Sequence, residues 1–203
     1  MEDIKLNLGC ASRPLPGYVN VDLDTIEEIR ARYPNVDIPQ GLVVCQYDIF
    51  ALPYADGAVS EIRSDSMIEH LSFLEEKAFF LEMQRVLRSG GKLAFSVPDF
   101  EDTVRKWLAA DDDWRDFYRN DPEAIAQQHW FGQYSYSTKS RWGYLTASIF
   151  GPQNSEGQFH KNCYTEKKIR AMLDHLGFDI EELSFFSWKE DRDRMIKVVA
   201  VKR

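Results

Sequence analysis

Four polar segments of the sequence each follow an apolar run, at the point where a buried strand would end. These segments contain small, polar or acidic residues, some of them beside an apolar one. The residues are Asn7, Gly9, Cys10, Ala11, Asp22, Leu23, Asp48, Ile49, Ser64 and Asp65. A carboxylate such as Asp22 can accept hydrogen bonds from both hydroxyls of a ribose. Asp48 can accept one from an adenine amino group while Ile49 packs on the ring. Gly9 has no side chain to clash with a ligand near the backbone. The pattern predicts a site for an adenosine-containing ligand.

The elements that must position these residues alternate between strands and helices. Seven runs have the length and the β-branched or aromatic content of strands. They cover residues 4–8, 18–23, 42–47, 58–63, 92–97, 178–186 and 195–201. Strands that alternate with helices form a mostly parallel sheet with helices on both faces, and no helix fits between the last two strands. The sequence therefore predicts an α/β fold with a mostly parallel seven-stranded sheet and a C-terminal antiparallel hairpin. Ligands bind such open sheets at the carboxyl ends of the strands.

Capping residues mark the starts of three helices. Thr25 opens the first, which has acidic residues near its positive end. Ser72 and Glu75 form a capping box at the start of the second, and the Ser-Gly-Gly of residues 89–91 is its predicted end. Thr165 caps the third. These signals place the helices between the strands, as a parallel sheet requires.

The order of four sequence blocks resembles a known family. LNLGCASRP looks like the glycine-rich first motif of class I S-adenosylmethionine-dependent methyltransferases, and YDIFALPYADGAVSEI resembles their segment around strands three and four. MIEHL, followed by EMQRVLRSGGKLAFSVPD, is similar to a block of the type 11 methyltransferase domain, and HLGFDIEELSFF resembles the late segment. Small predicted methyltransferases of sugar and glycan biosynthesis clusters look most similar. The resemblance implies a Rossmann-like methyltransferase fold over residues 1–203, as one domain, with S-adenosylmethionine as the cofactor.

The resemblance also implies a role for each polar segment. It puts Gly9 and its neighbours beside the methionine part of the cofactor and Asp22 on the ribose. Asp48 and Ile49 would contact the adenine, and Ser64 with Asp65 would lie beneath the sulfonium. These assignments agree with the chemistry that the residues themselves allow.

The sequence departs from the family's pattern at three positions. The family usually has an acidic residue where Asn7 stands, and glycines where Ala11 and Arg13 stand. A parallel crossover normally needs about a dozen residues or more, so the short stretch after Gly9 predicts a loop instead of the first helix. A non-catalytic or weakly cofactor-binding module of the same fold therefore stays open as an alternative.

A long aromatic-rich stretch at residues 100–161 interrupts the regular pattern and is the predicted acceptor region. Its rings form either a second small core or an acceptor pocket, and they include Trp130, Phe131, Tyr134, Tyr136, Trp142 and Tyr144. His160, near the end of the stretch, is a candidate general base, with a surface-loop histidine as the alternative. His70, next to Glu69, is a second candidate near the acceptor, unless the pair only buttresses the helix that follows. Asp65 is the third catalytic candidate. His129 is a weaker one, and His175 suits a helix end.

Composition narrows the partners and the cofactor. The chain carries a net charge of −8, which disfavours nucleic acid and anionic membranes as partners. No apolar run is long enough to span a bilayer, and the start of the chain does not read as a signal peptide. Three widely spaced cysteines argue against a zinc site and fit a reducing cytoplasm. A dinucleotide motif GxGxxG is absent, because Ala11 and Pro14 stand where its glycines belong. The predicted reaction is methyl transfer to an oxygen or nitrogen of a small-molecule or sugar-like acceptor.

Overall fold

The computed structural model describes residues 3–112, 122, 141–151, 153, 156–187 and 193–203. Its strands are β1 (Ile4–Leu8), β2 (Val19–Val21), β3 (Val44–Cys45), β4 (Val59–Asp65), β5 (Leu87–Pro98), β6 (Phe178–Ser187) and β7 (Arg194–Lys202). The described helices are α1 (Ile26–Arg32), α2 (Phe73–Val86), α3 (Phe100–Ala109), α4 (Thr146–Phe150) and α5 (Glu166–His175). Short 3-10 turns cover Ile68–His70 and Glu156–Gln158, and an irregular turn covers Arg141–Leu145. Among the described helices, none has the length and apolar character needed to cross a membrane.

The seven strands form one sheet in the order β3-β2-β1-β4-β5-β7-β6. Neighbours from β3 to β5 pair in parallel, whereas β7 runs antiparallel to both β5 and β6. This confirms the predicted mostly parallel sheet and its C-terminal antiparallel hairpin. The strand order reverses between β1 and β4, and the crevice at such a reversal is where open α/β sheets bind ligands. The carboxyl ends of these two strands are therefore the place to look for a site.

Two clusters of buried apolar side chains hold the helices to the sheet. The larger cluster joins Ile62 of β4 to Phe80 of α2 and Leu173 of α5. The smaller cluster joins Ile29 of α1 to Cys10 in the loop after β1. Each large apolar side chain contributes about 1.5–3 kcal/mol by leaving water. That helices cover both faces of the sheet stays a prediction.

The described helices begin where the capping residues predict. Ser72 Oγ accepts a hydrogen bond from Glu75 N (3.4 Å), and Glu75 Oε2 accepts one from Ser72 N (2.7 Å). Thr25 caps α1 through the same reciprocal arrangement with Glu28, and the side chain of Thr165 caps α5. Losing one such cap costs about 1 kcal/mol, so these residues fix the helix starts.

α2 ends three residues earlier than the glycine pair predicts. Its last residue is Val86, and Leu87 is already extended and paired with Val59 of β4. The register then shifts, and pairing with β4 resumes at Lys92, so residues 88–91 form an irregular segment within β5. The prediction of a helix stop at the glycines is wrong because strand pairing begins first and satisfies the backbone groups of Leu87.

β2 and β3 are shorter than their apolar runs predict. β2 covers three residues and β3 only two, Val44 and Cys45. β3 lies at the edge of the sheet and pairs only with β2. Residues without a backbone partner on either side remain in loops, whatever their propensity.

The stretch at residues 100–161 contains more regular structure than its sequence indicates. α3 occupies its first ten residues, and Asp99 caps it by accepting a hydrogen bond from Asp102 N (3.4 Å). Phe100, Val104, Trp107 and Leu108 have the i, i+4, i+7, i+8 spacing of an amphipathic helix, so the sequence carries a signal for α3 that the sequence analysis does not use. Of the aromatic residues predicted to form a core or a pocket, Trp142 and Tyr144 are described. The other four lie outside the described residues.

Candidate functional site

The loop at residues 9–18 connects two parallel strands without a helix, as predicted. Two buried asparagines hold it in place. Asn7 Nδ2 donates hydrogen bonds to the Arg13 carbonyl oxygen (3.0 Å) and to Asn20 Oδ1 (2.9 Å). Asn20 Oδ1 also accepts one from Leu15 N (2.7 Å). Both amide protons of Asn7 are used inside the protein, so this predicted cofactor-binding residue shapes the loop.

Asn20 is a site-shaping residue that the sequence analysis does not single out. It is almost fully buried, at 1% exposure, between two valines of β2. The sequence does carry a signal for Asn20, which is an amide side chain inside an otherwise apolar strand. A buried amide must find hydrogen-bond partners, so such a residue is expected to hold neighbouring backbone in place. Its partners lie in the loop before β2, where no helix supplies them.

Gly9 occupies a position that no other residue fits without strain. Its φ angle is +64°, in the left-handed region. A Cβ atom built on Gly9 would lie 2.4 Å from Met67 Cγ and 2.8 Å from Met67 Cβ. The close neighbour of Gly9 in this structure is therefore Met67, a residue that the sequence analysis does not identify. Glycine is required here both by the backbone conformation and by that side chain.

The Asp22 carboxylate joins the ends of β1 and β2. Asp22 Oδ2 accepts a hydrogen bond from Ala11 N (2.7 Å), and Oδ1 accepts one from Asp24 N (3.2 Å). Ala11 has a φ angle of +41°, an uncommon conformation for a residue with a side chain. A carboxylate offers about four lone-pair sites, so Asp22 keeps acceptor capacity beyond these two bonds. Leu23 beside it is 86% exposed.

Asp48 and Ile49 follow β3 at the same edge of the sheet. Asp48 is exposed, and its Oδ1 accepts a hydrogen bond from Phe50 N (2.8 Å), which closes a tight turn. Ile49 is half-buried and packs against the larger apolar cluster. The turn holds one polar and one apolar group next to each other, an arrangement that suits the edge and the face of a flat ring.

Cys10 is a structural residue in this arrangement. Its side chain is 3% exposed and packs in the smaller apolar cluster with Ile29. Burial, with a smaller contribution from the Asp22 charge, raises the pKa of the Cys10 thiol to about 12. The thiol is therefore protonated at neutral pH and is not a nucleophile. Its backbone N–H donates to the Val21 carbonyl oxygen (3.2 Å), which leaves this amide bonded within the protein.

Ser64 and Asp65 end β4 with different access to solvent. Ser64 is fully buried, and its hydroxyl has no hydrogen-bond partner among the residues that the structure describes. It shares the strand face of Ile62, which packs in the core, so Ser64 offers no surface to a ligand. Asp65 is half-buried. It accepts hydrogen bonds from Ser96 Oγ (2.9 Å) and from Arg63 Nη2 (3.1 Å). Of the two predicted contacts beneath the sulfonium, only Asp65 is accessible.

His70 and His160 lie together although 90 residues separate them in the sequence. Their ring centroids are 4.9 Å apart, and the planes meet at 71°. Nδ1 of His70 lies 3.1 Å from the Phe159 carbonyl oxygen, and Nδ1 of His160 lies 2.9 Å from the Ser148 carbonyl oxygen. Two predicted catalytic residues thus form one cluster. His129 lies outside the described residues, and His175 is exposed at the end of α5.

Glu69 completes this cluster, which we call the histidine–glutamate cluster (Glu69, His70 and His160). One possible ligand atom from each residue lies within 4.8 Å of the others. The Glu69 carbonyl oxygen accepts hydrogen bonds from Lys161 N (2.9 Å) and Asn162 N (3.1 Å), which fix His160 beside the turn. The sequence analysis considers Glu69 only as a buttress. The structure shows this backbone contact and also places the Glu69 carboxylate beside the two histidine rings.

Burial shifts the pKa values of all three groups. It raises the pKa of Glu69 to about 8 and lowers that of His160 to about 4, with the nearby His70 adding to the latter shift. Burial also lowers the pKa of His70. The sequence analysis expects a histidine that titrates near neutral pH. Instead both rings are neutral there, and an imidazole with so low a pKa is a weak base.

A pocket opens beside the histidine–glutamate cluster at the carboxyl end of β5. Its lining includes Glu69 and His160, together with Pro98, Phe100, Ser148 and Tyr164. Part of the stretch at residues 100–161 lines this pocket together with Pro98 of β5. α3 and α4 both contribute to the wall.

The histidine–glutamate cluster and the loop after β1 are neighbours. Arg13 of that loop lowers the pKa of Glu69 through its charge, and Asp65 raises it. A charge shifts the pKa of another group appreciably only when the two lie close together. The loop after β1 and the turn that carries Glu69 and His70 also touch directly, because Gly9 lies against Met67, the residue before that turn.

Residues 8–95 match a family model described as a methyltransferase domain. A probable S-adenosylmethionine-dependent methyltransferase from Mycolicibacterium smegmatis is 36% identical over 83 residues, which cover 40% of this chain and 29% of that protein. The chain thus spans less than a third of the length of the curated relatives it matches.

Solved structures resemble the whole chain. A SAM-dependent methyltransferase from Methanosarcina mazei has a TM-score of 0.57 at 17% identity, with 100% of this chain and 93% of that chain covered. The 1,6-didemethyltoxoflavin-N1-methyltransferase of Burkholderia thailandensis, solved with 1,6-didemethyltoxoflavin and S-adenosylhomocysteine, has a TM-score of 0.57 at 11% identity. That match covers 98% of this chain and 70% of the other. The chain therefore has the Rossmann-like methyltransferase fold, and its residues 8–95 match the methyltransferase domain.

Proposed function

We propose that this chain transfers the methyl group of S-adenosylmethionine to an oxygen or nitrogen of a small-molecule or sugar-like acceptor. The observation that carries the proposal is the Asp22 carboxylate, which lies half-buried at the carboxyl end of β2, beside the reversal of strand order. The methyltransferase-domain match supports it, as do two structural neighbours solved with S-adenosylhomocysteine. In this proposal residues 1–203 act as one domain.

The cofactor would lie across the ends of β1, β2 and β3. Gly9 and Ala11 would flank its methionine part, and Asp22 would hold the ribose hydroxyls through its remaining lone pairs. The exposed side chain of Leu23 would lose contact with water as the nucleoside binds. Asp48 and Ile49 would take the edge and the face of the adenine.

The residues of the chain need to supply alignment more than activation. S-adenosylmethionine supplies an activated methyl group, and its transfer breaks the bond from carbon to sulfur. The protein must hold the acceptor atom in line with that bond and must let the acceptor's proton leave. We assign these tasks to His160, which lines the pocket, to His70, whose ring lies against His160, and to Asp65 at the end of β4.

The partner and location follow from charge and from the cysteines. A net charge of −8 favours a small-molecule acceptor over nucleic acid or an anionic membrane. Cys10, Cys45 and Cys163 are unpaired thiols, which fits a reducing cytoplasm.

A non-catalytic module with the same fold is the second candidate. Two observations favour it: Met67 lies against Gly9, and Ala11 carries a strained φ angle where the family usually has glycine. Both features lie in the loop that would hold the methionine part. A module of this kind would bind the cofactor weakly or not at all.

Calorimetry with S-adenosylmethionine, S-adenosylhomocysteine and NAD tests the proposal. We expect saturable binding of the first two ligands, no binding of NAD, and loss of binding in Asp22→Ala. A screen of hydroxyl- and amine-bearing small molecules for release of S-adenosylhomocysteine then tests turnover. Binding of NAD alone would overturn the cofactor assignment. Absence of binding by all three ligands would favour the non-catalytic module.

A further inference from the structure

We propose that Glu69, His70 and His160 form a binding site for a first-row divalent transition-metal ion, with two imidazole nitrogens and one carboxylate oxygen as ligands. The three ligand atoms lie within 4.8 Å of one another at the end of β4. The inference goes beyond methyl transfer, because metal binding needs neither cofactor nor acceptor. It also departs from the sequence analysis, which expects no metal site.

The hydrogen bonds of the two rings use Nδ1 of each histidine and leave Nε2 available to a metal ion. Nδ1 of His70 contacts the Phe159 carbonyl oxygen, and Nδ1 of His160 contacts the Ser148 carbonyl oxygen. A carbonyl oxygen only accepts, so each Nδ1 donates, and a neutral ring then carries its lone pair on Nε2. Histidines that bind metals are usually oriented by such a bond from the other ring nitrogen. Both rings are therefore held in the tautomer that a metal ion requires.

The carboxylate of Glu69 lacks the partners that a buried acid needs. Glu69 is 3% exposed, and its Oε2 has no hydrogen-bond partner within the described ranges. A buried carboxylate without a partner is costly to keep ionised. The nearby Lys161 forms an ion pair with Glu75 (3.9 Å). A divalent ion between Glu69 and the imidazoles would satisfy the carboxylate.

The ligand set indicates which ions fit. Two imidazoles and one carboxylate suit zinc, iron(II), manganese(II) or cobalt(II), whereas calcium and magnesium prefer oxygen ligands alone. Atoms that share one such ion at about 2.0–2.2 Å lie roughly 3–4 Å apart, so small side-chain rotations would close the observed arrangement.

The neighbouring pocket leaves room for further ligands of the ion. Ser148 Oγ and Asn162 Nδ2 lie in its wall, and neither has a hydrogen-bond partner in the part of the chain that the structure describes. Three protein ligands leave at least one coordination position open to water or to an added molecule. The pocket places that position next to polar groups that can hold such a molecule.

Metal titration of the untagged, chelator-treated full chain tests the proposal. Zinc chloride is titrated by calorimetry, and cobalt chloride is titrated with an absorption spectrum recorded at each step. We expect one equivalent to bind with micromolar affinity or tighter, and visible cobalt bands typical of nitrogen and oxygen ligands. His70→Ala and His160→Ala should each weaken binding by more than the roughly 10–100-fold that loss of an outer-shell group costs. His175→Ala, at an exposed helix end, is the matched control and should bind like the wild type.

Three outcomes would overturn the inference. The first is a wild-type chain that binds neither zinc nor cobalt at micromolar concentration. The second is unchanged affinity in both His70→Ala and His160→Ala, since the ion would then lie elsewhere. The third is an equal loss in His175→Ala. Circular dichroism and thermal melting of each variant check that it is folded. Glu69→Gln, which keeps the side-chain size, tests the carboxylate if a histidine variant unfolds. If the wild-type chain binds the metal but transfers no methyl group, that result counts against the proposed function and leaves the metal site standing.

Discussion

The loops after β1, β2 and β3 and the histidine–glutamate cluster lie at the same edge of the sheet, but they differ in how they are held. Asp22 and Asp48 lie near the surface, and their carboxylates accept hydrogen bonds from backbone amides no more than eleven positions away in the sequence. Glu69 is buried, with the half-buried His70 and His160 beside it, and the contact from His70 to Phe159 spans 89 positions.

The difference indicates a division of tasks along one edge. The Asp22 and Asp48 carboxylates can bind a polar ligand with little rearrangement, because each keeps acceptor capacity beyond its hydrogen bonds to the backbone. Buried groups in a pocket interact more strongly with whatever enters, because the surrounding dielectric is low. The loops suit the binding of a nucleoside, and the histidine–glutamate cluster suits the chemistry or the ion. Changes at the loops should therefore alter affinity, and changes at the histidine–glutamate cluster should alter turnover.

The largest expected effect is the loss of cofactor binding in Asp22→Ala. Two hydrogen bonds from ribose hydroxyls to a carboxylate contribute roughly 1.5–3 kcal/mol each, so affinity should fall more than a hundredfold. The variant also removes the acceptor for Ala11 N. Calorimetry with S-adenosylhomocysteine measures the change. Asp24→Ala removes a carboxylate that pairs with Arg32 (2.6 Å) and serves as the control, with a change of less than about tenfold. Equal affinity of wild type and Asp22→Ala would show that the ribose lies elsewhere.

The next effect concerns turnover in His160→Ala. We expect the rate of methyl transfer to fall about a hundredfold or more, with cofactor affinity within a factor of about two of the wild type. Initial rates with an acceptor from the screen, and calorimetry on the same samples, separate the two quantities. His175→Ala should leave both unchanged. A similar loss of cofactor affinity in His160→Ala would contradict the division of tasks between the two regions.

Gly9→Ala should lower the free energy of unfolding by more than the conformational strain alone. A side chain in the left-handed region costs about 1–2 kcal/mol, and the clash with Met67 adds to it. Gly17→Ala is the matched control, because Gly17 has a φ angle of +78° but no atom within 4 Å of the added Cβ. Urea denaturation of both variants measures the difference. Equal losses would mean that Met67 moves aside without cost.

Asp48→Asn should weaken cofactor binding, but less than Asp22→Ala does. Asparagine keeps one oxygen that can accept from an adenine amino group, and it loses only the charge. The same oxygen can close the turn to Phe50 N. Calorimetry on the two variants side by side gives the ranking, and a larger loss in Asp48→Asn would exchange the adenine and ribose assignments.

Ala11→Gly is expected to have the smallest effect, and a favourable one. Relief of the left-handed strain contributes about 1 kcal/mol, and the added flexibility of glycine offsets roughly 0.5–1 kcal/mol of it. Stability and cofactor affinity should be unchanged or slightly improved in urea denaturation and calorimetry. A clear loss of binding with the fold intact would show that this loop departs from the geometry of the family.

Much of the fold can be predicted from local sequence signals. The ends of β1, the start of α1 at Thr25 and the capping box at Ser72 agree with the structure, because each depends on residues within one turn or strand. The absence of a helix after β1 follows from the length of the segment alone. The early end of α2 could not be predicted, because the pairing of Leu87 with Val59 competes with the local glycine signal.

The sequence by itself determined the order of the seven strands, the three helices capped by Thr25, Ser72 and Thr165, and the polar residues that follow the strands, since periodicity, capping and chain length are local properties. Only the tertiary structure decided that Asn7 and Asn20 share a hydrogen bond, that Met67 covers Gly9, and that Glu69 and His70 meet His160. These contacts join segments that the sheet brings together. They depend on the depth and direction of each side chain, which no spacing along the chain specifies.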